Sequence, residues 1–219
     1  MNIDPRLIAQ VKGFLAEEEG RALWEFALCA SQSGPCLEIG SYCGKSSLYL
    51  GDACRQNRSI LFSIDHHCGS EEQQPGEVYF DPELFNPALY RVDTLGLFRR
   101  TIEKAGLQET VVPIVCHSHV AARYWSTPLS LVFIDGGHAY ETVYTDYLAW
   151  SSHIQPGGYL LIHDIFKNPQ EGGQAPYRIF QMALASGLFC QLDMVRSLGV
   201  LKRLRGGETG CKVVLNPAV

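Results

Sequence analysis

The feature that most restricts this chain is a regular exchange between two hydrophobic periods. Short apolar runs suited to buried strands alternate with stretches of helical spacing, and the runs end in polar or glycine residues. Cys36-Leu37-Glu38-Ile39 is followed by helical spacing over 44–54, and the run 59–64 by helical spacing over 94–105. The runs 110–115, 129–134 and 159–162 are followed in the same way by 120–125, 142–153 and 176–186. Continuous apolar strands need cover on both faces, and intervening helices supply it, so the chain predicts a doubly wound, mostly parallel sheet. The last two runs, 189–195 and 198–204, are separated by too few residues for a crossover and predict an antiparallel edge hairpin. They bring the expected sheet to seven strands. Two further helices, 7–15 and 21–31, precede the first strand, with Gly34-Pro35 as the stop.

In open sheets of this kind, ligands bind beyond the carboxyl ends of the strands. Those ends are 38–44, 65–67, 117–119, 135–138 and 163–164, and polar and glycine residues concentrate there. Glu38-Ile39-Gly40-Ser41-Tyr42-Cys43-Gly44 follows the first strand and opens a helix. Gly40 and Gly44 permit a sharp turn and close approach of a ligand, and the helix start offers unpaired N–H groups to an anion. A dinucleotide loop would carry G-x-G-x-x-G, which this segment lacks. It also reads G-x-x-x-G-K-S through Lys45 and Ser46, one residue short of a phosphate-binding P-loop. Asp65, at the tip of the second strand, stands about 20 residues past the loop, where a carboxylate reaches ribose hydroxyls.

Several classes are excluded by bulk properties. With 219 residues, 46% hydrophobic and 19% charged, the chain suits one globular domain. A net charge of -5 argues against a broad nucleic-acid footprint. No apolar stretch is long enough to span a bilayer, and Asp4 and Pro5 stand where a secretion signal would turn apolar, so the expected location is cytoplasmic. The eight cysteines contain no C-x-x-C pair and are expected as buried thiols.

Taken together, the E-x-G-x-x-x-G loop, Asp65 and the closing hairpin resemble the class I methyltransferases, with their Rossmann-like sheet. The resemblance covers roughly 34–204. Phe133-Ile134-Asp135-Gly136-Gly137-His138, Tyr140-Glu141, Pro156-Gly157-Gly158 and Ile162-His163-Asp164 look more narrowly like its small-molecule branch, methyltransferase family 24. This implies S-adenosylmethionine as cofactor. Glu38 and Gly40 would then line its methionine end, with Ser41, Tyr42, Gly44 and Ser46 completing the loop. Asp65 would hold the ribose, Ser118 would lie near the adenine, Asp135 and Gly136 near the methyl group, and His66 would be a further cofactor contact. Outside the resemblance fall the N-terminal helices, 1–33, and a tail, 205–219.

An oxygen or nitrogen acceptor must lose a proton, so a base or a metal is expected beside the methyl. The candidates are Asp135, His138 and His163, and Asp135 with Asp164 could hold Mg²⁺ or another divalent cation. Relatives with a metal site often carry two acidic residues where this chain has His163-Asp164. The long polar stretch 66–92 is expected to be a lid, since its Tyr79, Phe80, Phe85 and Tyr90 offer surface for docking. His67 and His138 are the expected contacts to a small-molecule acceptor. The apolar Leu23-Trp24 and Phe26-Ala27-Leu28 offer a homo-oligomer contact. Two other functions compete: a P-loop-like nucleotide hydrolase, and a non-catalytic module that retains the fold.

Overall fold

The computed structural model describes residues 1–206. Asp4 caps the first helix, α1 (Pro5–Gln10), by accepting the Arg6 N–H at 2.9 Å, and Pro5 sits where a missing N–H costs nothing. Helical spacing predicted 7–15; the helix instead starts at Asp4-Pro5 and ends early, because Val11 and Leu15 bury themselves from an extended segment. The second helix, α2 (Glu17–Ala30), begins before the expected position 21. Its first turn holds Glu17, Glu18 and Glu19, where the helix dipole favours carboxylates.

There follow β1 (Cys36–Ile39), α3 (Lys45–Gln56) and β2 (Leu61–Ile64). The segment 66–92 is folded rather than loose. It carries two short 3-10 turns and the two-residue strands β3 (Phe85–Asn86) and β4 (Arg91–Val92), anchored by buried Leu84 and Val92. The remainder is α4 (Leu95–Lys104), β5 (Val111–Ile114), α5 (Ser118–Ala122), β6 (Leu129–Ile134), α6 (Tyr140–Trp150), β7 (Ile154–Ile162), α7 (Ala175–Ala185), β8 (Phe189–Val195) and β9 (Leu198–Arg203).

The large sheet runs β5-β2-β1-β6-β7-β9-β8. Its first five strands are parallel, while β9 pairs antiparallel with β7 and with β8. This is the expected seven-stranded sheet with an antiparallel edge. The chain winds outward from β1 to β5 and returns to β1's other side at β6, so the switch point lies between β1 and β6.

Alternation along β6 shows how the core divides. Leu131 and Phe133 face the layer of α2, α3 and α4, whereas Val132 and Ile134 face α6 and α7. Every residue of β6 is buried, as a central parallel strand requires. Removing a fully buried ring such as that of Phe133 costs about 3–5 kcal/mol in such cores.

Pro156-Gly157-Gly158 reads as the stop after the helical spacing 142–153, but it lies within β7, where the pairing with β6 shifts register between Leu129 and Leu131. Gly157 adopts φ 87°, and a Cβ on Gly158 would stand 2.8 Å from the Ser130 carbonyl oxygen, so the glycines shape a bulge. Of the apolar residues of α2, Leu23 and Ala27 are fully buried and cover the sheet, while Trp24, Phe26 and Leu28 are half-buried against the same core. Cys36, Cys43 and Cys54 are buried thiols as expected, but Cys29, on the outer side of α2, is exposed and Cys68, Cys116 and Cys190 are half-buried; Cys211 lies outside the described residues. Among the described residues, no helix is long and apolar enough to cross a membrane.

Candidate active site

The glycine loop leaves β1 with Gly40 at φ 89° and enters α3 through Gly44 at φ 93°. A Cβ on Gly40 would stand 2.1 Å from the backbone oxygen of Asp135, because the chains leaving β1 and β6 touch there. Glycine at 40 therefore serves this backbone contact as well as ligand access. Tyr42, between the two glycines, also takes a left-handed backbone, φ 47°. Its N–H donates to Asp65 Oδ2 at 2.8 Å, and the other Asp65 oxygen accepts the His67 N–H at 2.7 Å. Asp65 thus ties the loop to the tip of β2. Ser41 Oγ, in the same loop, has no hydrogen-bond partner among the described residues.

Glu38 lies beneath the loop with no exposed surface. Its carboxylate accepts hydroxyl bonds from Ser46, at 2.8 Å, and from Ser47 and Ser63. Burial pushes its pKa up to about 7, against the pull of those three hydroxyls. Glu38 and Ser46 accordingly clamp the loop to α3 and β2 from below. Lys45, the residue that gave the loop its P-loop likeness, donates to the Gly13 carbonyl at 3.2 Å.

The two adjacent histidines diverge, as their positions at a strand end predict. His66 lies near the exposed His117, with ring centroids 4.7 Å apart. His67 turns inward, bonds Thr94 Oγ1 at 2.8 Å and packs on Phe98, so it has little surface for an acceptor. Burial lowers the pKa of both. Ser118 donates to the buried Asp146 of α6, whose pKa burial pushes up to about 6 despite that bond. Asp146 Oδ2 in turn lies 3.3 Å from where a Cβ on Gly136 would stand.

Beyond β6 and β7 the structure assembles a chain of alternating acids and imidazoles. Glu72 bonds His138 Nδ1 at 2.8 Å, and His138 Nε2 meets Asp164 at 2.7 Å. His163 Nδ1 lies 3.1 Å from Asp135 and 3.3 Å from Asp164, and its Nε2 lies 3.1 Å from Glu19. Asp164 holds this position at φ 57°, a third left-handed non-glycine residue in the site after Tyr42 and His67. Burial alone would discharge His163, but Asp135, Asp164 and Glu19 outweigh it and hold the ring protonated. Burial would likewise raise Glu19, yet bonds from His163 and Ser197 bring it down to about 2. Asp164 falls well below the ordinary range because both imidazoles outweigh its burial. His138 rises to about 9, chiefly through Asp164, with Glu72 adding to it against burial.

Of the three expected catalytic candidates, Asp135, His138 and His163 all reach this network. His163, however, is only 4% exposed and has both nitrogens on carboxylates, so it positions Asp135 and Asp164 rather than meeting an acceptor. Asp135, His138 and Asp164 each offer one ligand atom, and these atoms lie within 4.8 Å of one another. That donor set fits a divalent cation, although one donor is imidazole where the expectation named only Asp135 and Asp164.

Glu19, Glu72 and Asp146 were missed from sequence. A signal existed for Glu19: it shares the helical face of Leu23, Ala27 and Ala30, all buried, and an acid on an apolar face needs a partner. Nothing marked Glu72 out from the other acids of its polar stretch.

The family model described as a methyltransferase domain, methyltransferase family 24, matches residues 37–165, from β1 to just past Asp164. The chain belongs to this family. The methyltransferase family match therefore contains the glycine loop, Asp65, Ser118, Asp135 and His138. Solved structures share the fold at low identity. Cofactor-bound Rv0187 from MTB is 15% identical over 92% of this chain and 91% of its own, with a TM-score of 0.64. The O-methyltransferase from Bacillus cereus, in complex with SAH, is 14% identical over 94% and 93%, with a TM-score of 0.63. The O-methyltransferase TomG from Streptomyces achromogenes, involved in tomaymycin synthesis and in complex with SAM, is 17% identical over 88% and 82%, with a TM-score of 0.57.

Proposed function

We propose that this methyltransferase binds S-adenosylmethionine across the carboxyl ends of β1 and β2 and methylates an oxygen or nitrogen of a small acceptor. The observation that carries the reading is the junction of glycine loop and Asp65: two left-handed glycines, a strained Tyr42 and a carboxylate tying the loop to the next strand. Similar folds described with the cofactor, SAM or SAH bound support the choice of ligand. When bound, this cofactor supplies an electrophilic methyl group on a sulfonium.

This chain's residues do the holding. The N–H groups at the start of α3 receive a carboxylate. Asp65 keeps lone pairs for ribose hydroxyls beyond the two backbone bonds it accepts. His66 and Ser118 stand on the adenine side, and Gly136 leaves room beside the methyl. Asp135 meets the acceptor and takes up its proton, and His163 fixes Asp135 for that purpose; His138, raised to about 9 with both nitrogens on carboxylates, lends its charge to Asp164 and Glu72 instead. Asp135, His138 and Asp164 would hold a divalent cation, which would supply positive charge to acidify an acceptor hydroxyl. The mixed oxygen and nitrogen donors suit a transition metal better than Mg²⁺. The Glu72–His138 bond makes 66–92 a lid fastened over this end of the site.

Calorimetric titration with S-adenosylhomocysteine tests the reading. Saturable heat that fades in Asp65→Ala is expected. Absence of both heat and thermal stabilisation at millimolar ligand rejects it. Dialysis against a chelator followed by Mn²⁺ or Mg²⁺ addition tests the metal: methyl transfer that is indifferent to both steps removes that part.

A further inference from the structure

Asp146, on α6, is a buried carboxylate with little to hold its charge. It is 4% exposed, and Ser118 Oγ is the only donor to it among the described residues. Glu38, still more enclosed, receives three hydroxyls, and the more open Asp65 receives two N–H groups. A carboxylate so sparsely matched weakens a fold, so stability does not account for its presence. Its second oxygen, Oδ2, lies beside Gly136, where no side chain meets it.

Charge fixes the direction of the Ser118 bond. Burial raises Asp146 only to about 6, so at pH 8 it is ionised and accepts without donating. Ser118 gives its one proton to Asp146, and what remains to it is two lone pairs. Position tells what those lone pairs meet. The sheet runs β5-β2-β1, with the glycine loop leaving β1, Asp65 at the tip of β2 and Ser118 just past β5. A nucleoside with its sugar at Asp65 and its amino-acid end at the loop extends its base to the next strand, about 4.8 Å further on. The rings of His66 and His117, 4.7 Å apart, flank that end.

We propose that Asp146 is a positioning residue for cofactor selection: it locks the Ser118 hydroxyl as an acceptor, so that the site favours a base with an exocyclic amino group over one with a carbonyl there. The assignment deepens the methyl-transfer reading and rests on it. A 6-amino purine donates to the oriented lone pair, whereas a 6-oxo purine sets oxygen against oxygen. Asp146 acts on the base only through Ser118.

The test is calorimetry at pH 8 with S-adenosylhomocysteine and S-inosylhomocysteine, whose bases differ at the 6-position and in the N1 proton. Wild type should prefer the adenosyl ligand at least about tenfold. In Asp146→Asn the side-chain amide donates as well as accepts, which releases the Ser118 proton, and the preference should fall about five- to tenfold. The N1 contribution is common to both proteins and cancels in that comparison. Ser118→Ala should lose the same preference, and adding Asp146→Asn to it should change the ratio no further. A purely structural Asp146 would lower the melting temperature and leave the ratio of the two affinities as it was. That result, a wild type without preference, or a Ser118→Ala variant that keeps it overturns the assignment while the methyl-transfer reading stands. Ser118→Ala decides alone if Asp146→Asn fails to fold, because the hydroxyl is the path from Asp146 to the base. If S-adenosylhomocysteine gives no heat with wild type, the methyl-transfer reading falls, and the assignment falls with it.

Discussion

Replacing Glu19 with glutamine removes one charge from a pair whose members are 3% and 4% exposed, so solvent screens it little. The folded protein holds Glu19 at about 2 against an ordinary 4.5. With each tenfold change in proton affinity equal to about 1.4 kcal/mol, the ionised carboxylate contributes about 3 kcal/mol at neutral pH. That agrees with the lower end of the cost of breaking a buried pair, about 3–5 kcal/mol, as expected when Asp135 still partners the orphaned ring. A carboxylate with a depressed folded pKa stabilises above its unfolded value and loses that contribution as pH falls toward the folded one. Between pH 6 and pH 3 the loss is about 2 kcal/mol. His163 is shifted in the opposite sense; its contribution is complete below 6.5 and declines only at higher pH, so it is constant across this window. Guanidinium unfolding of wild type and Glu19→Gln at stepped pH reads the difference directly. A gap of about 3 kcal/mol at pH 6 should narrow to about 1 kcal/mol at pH 3. A gap that is the same at both ends would mean that packing, and not charge, ties α2 to His163, and the argument would fail.

Three further outcomes follow from the same geometry. Gly40→Ala puts a methyl 2.1 Å from the Asp135 carbonyl at a left-handed position, and should cost about 3 kcal/mol or more in thermal unfolding; an unchanged midpoint would deny the β1–β6 contact. Asp65→Ala should weaken S-adenosylhomocysteine at least about tenfold, one charge-assisted bond's worth, and equal affinity would remove Asp65 from the sugar. His138 is raised to about 9, so its link to Glu72 is complete below 6.5 and lost as pH rises through 9. Amide protection factors over 70–92 should drop across that range, and Glu72→Gln should show the low protection already at neutral pH.

Much of this molecule follows from sequence by itself. The exchange of hydrophobic period determined the order of strands and helices, the closing antiparallel pair and the strand tips where polar residues gather. These are local properties, set by which face of a strand or helix meets the core, and they survive errors of a few residues at element ends. The spacing from Gly40 to Asp65 is of the same kind, since it counts one strand–helix–strand unit.

Tertiary structure alone decided what the buried polar groups do. Glu38 could be placed in the loop by its position, but not assigned to three serine hydroxyls drawn from α3 and β2. His163 stood at a strand end as a candidate base. Glu19, 144 residues earlier in the chain, turned it into a clamp. Glu72 entered the same network only because its segment folds back over β6 and β7. Periodicity reports whether a side chain faces inward, yet a buried charge must be matched by whichever group the packing of distant elements brings within about 3 Å. That pairing is a property of the assembled layers, and no window of sequence contains both partners.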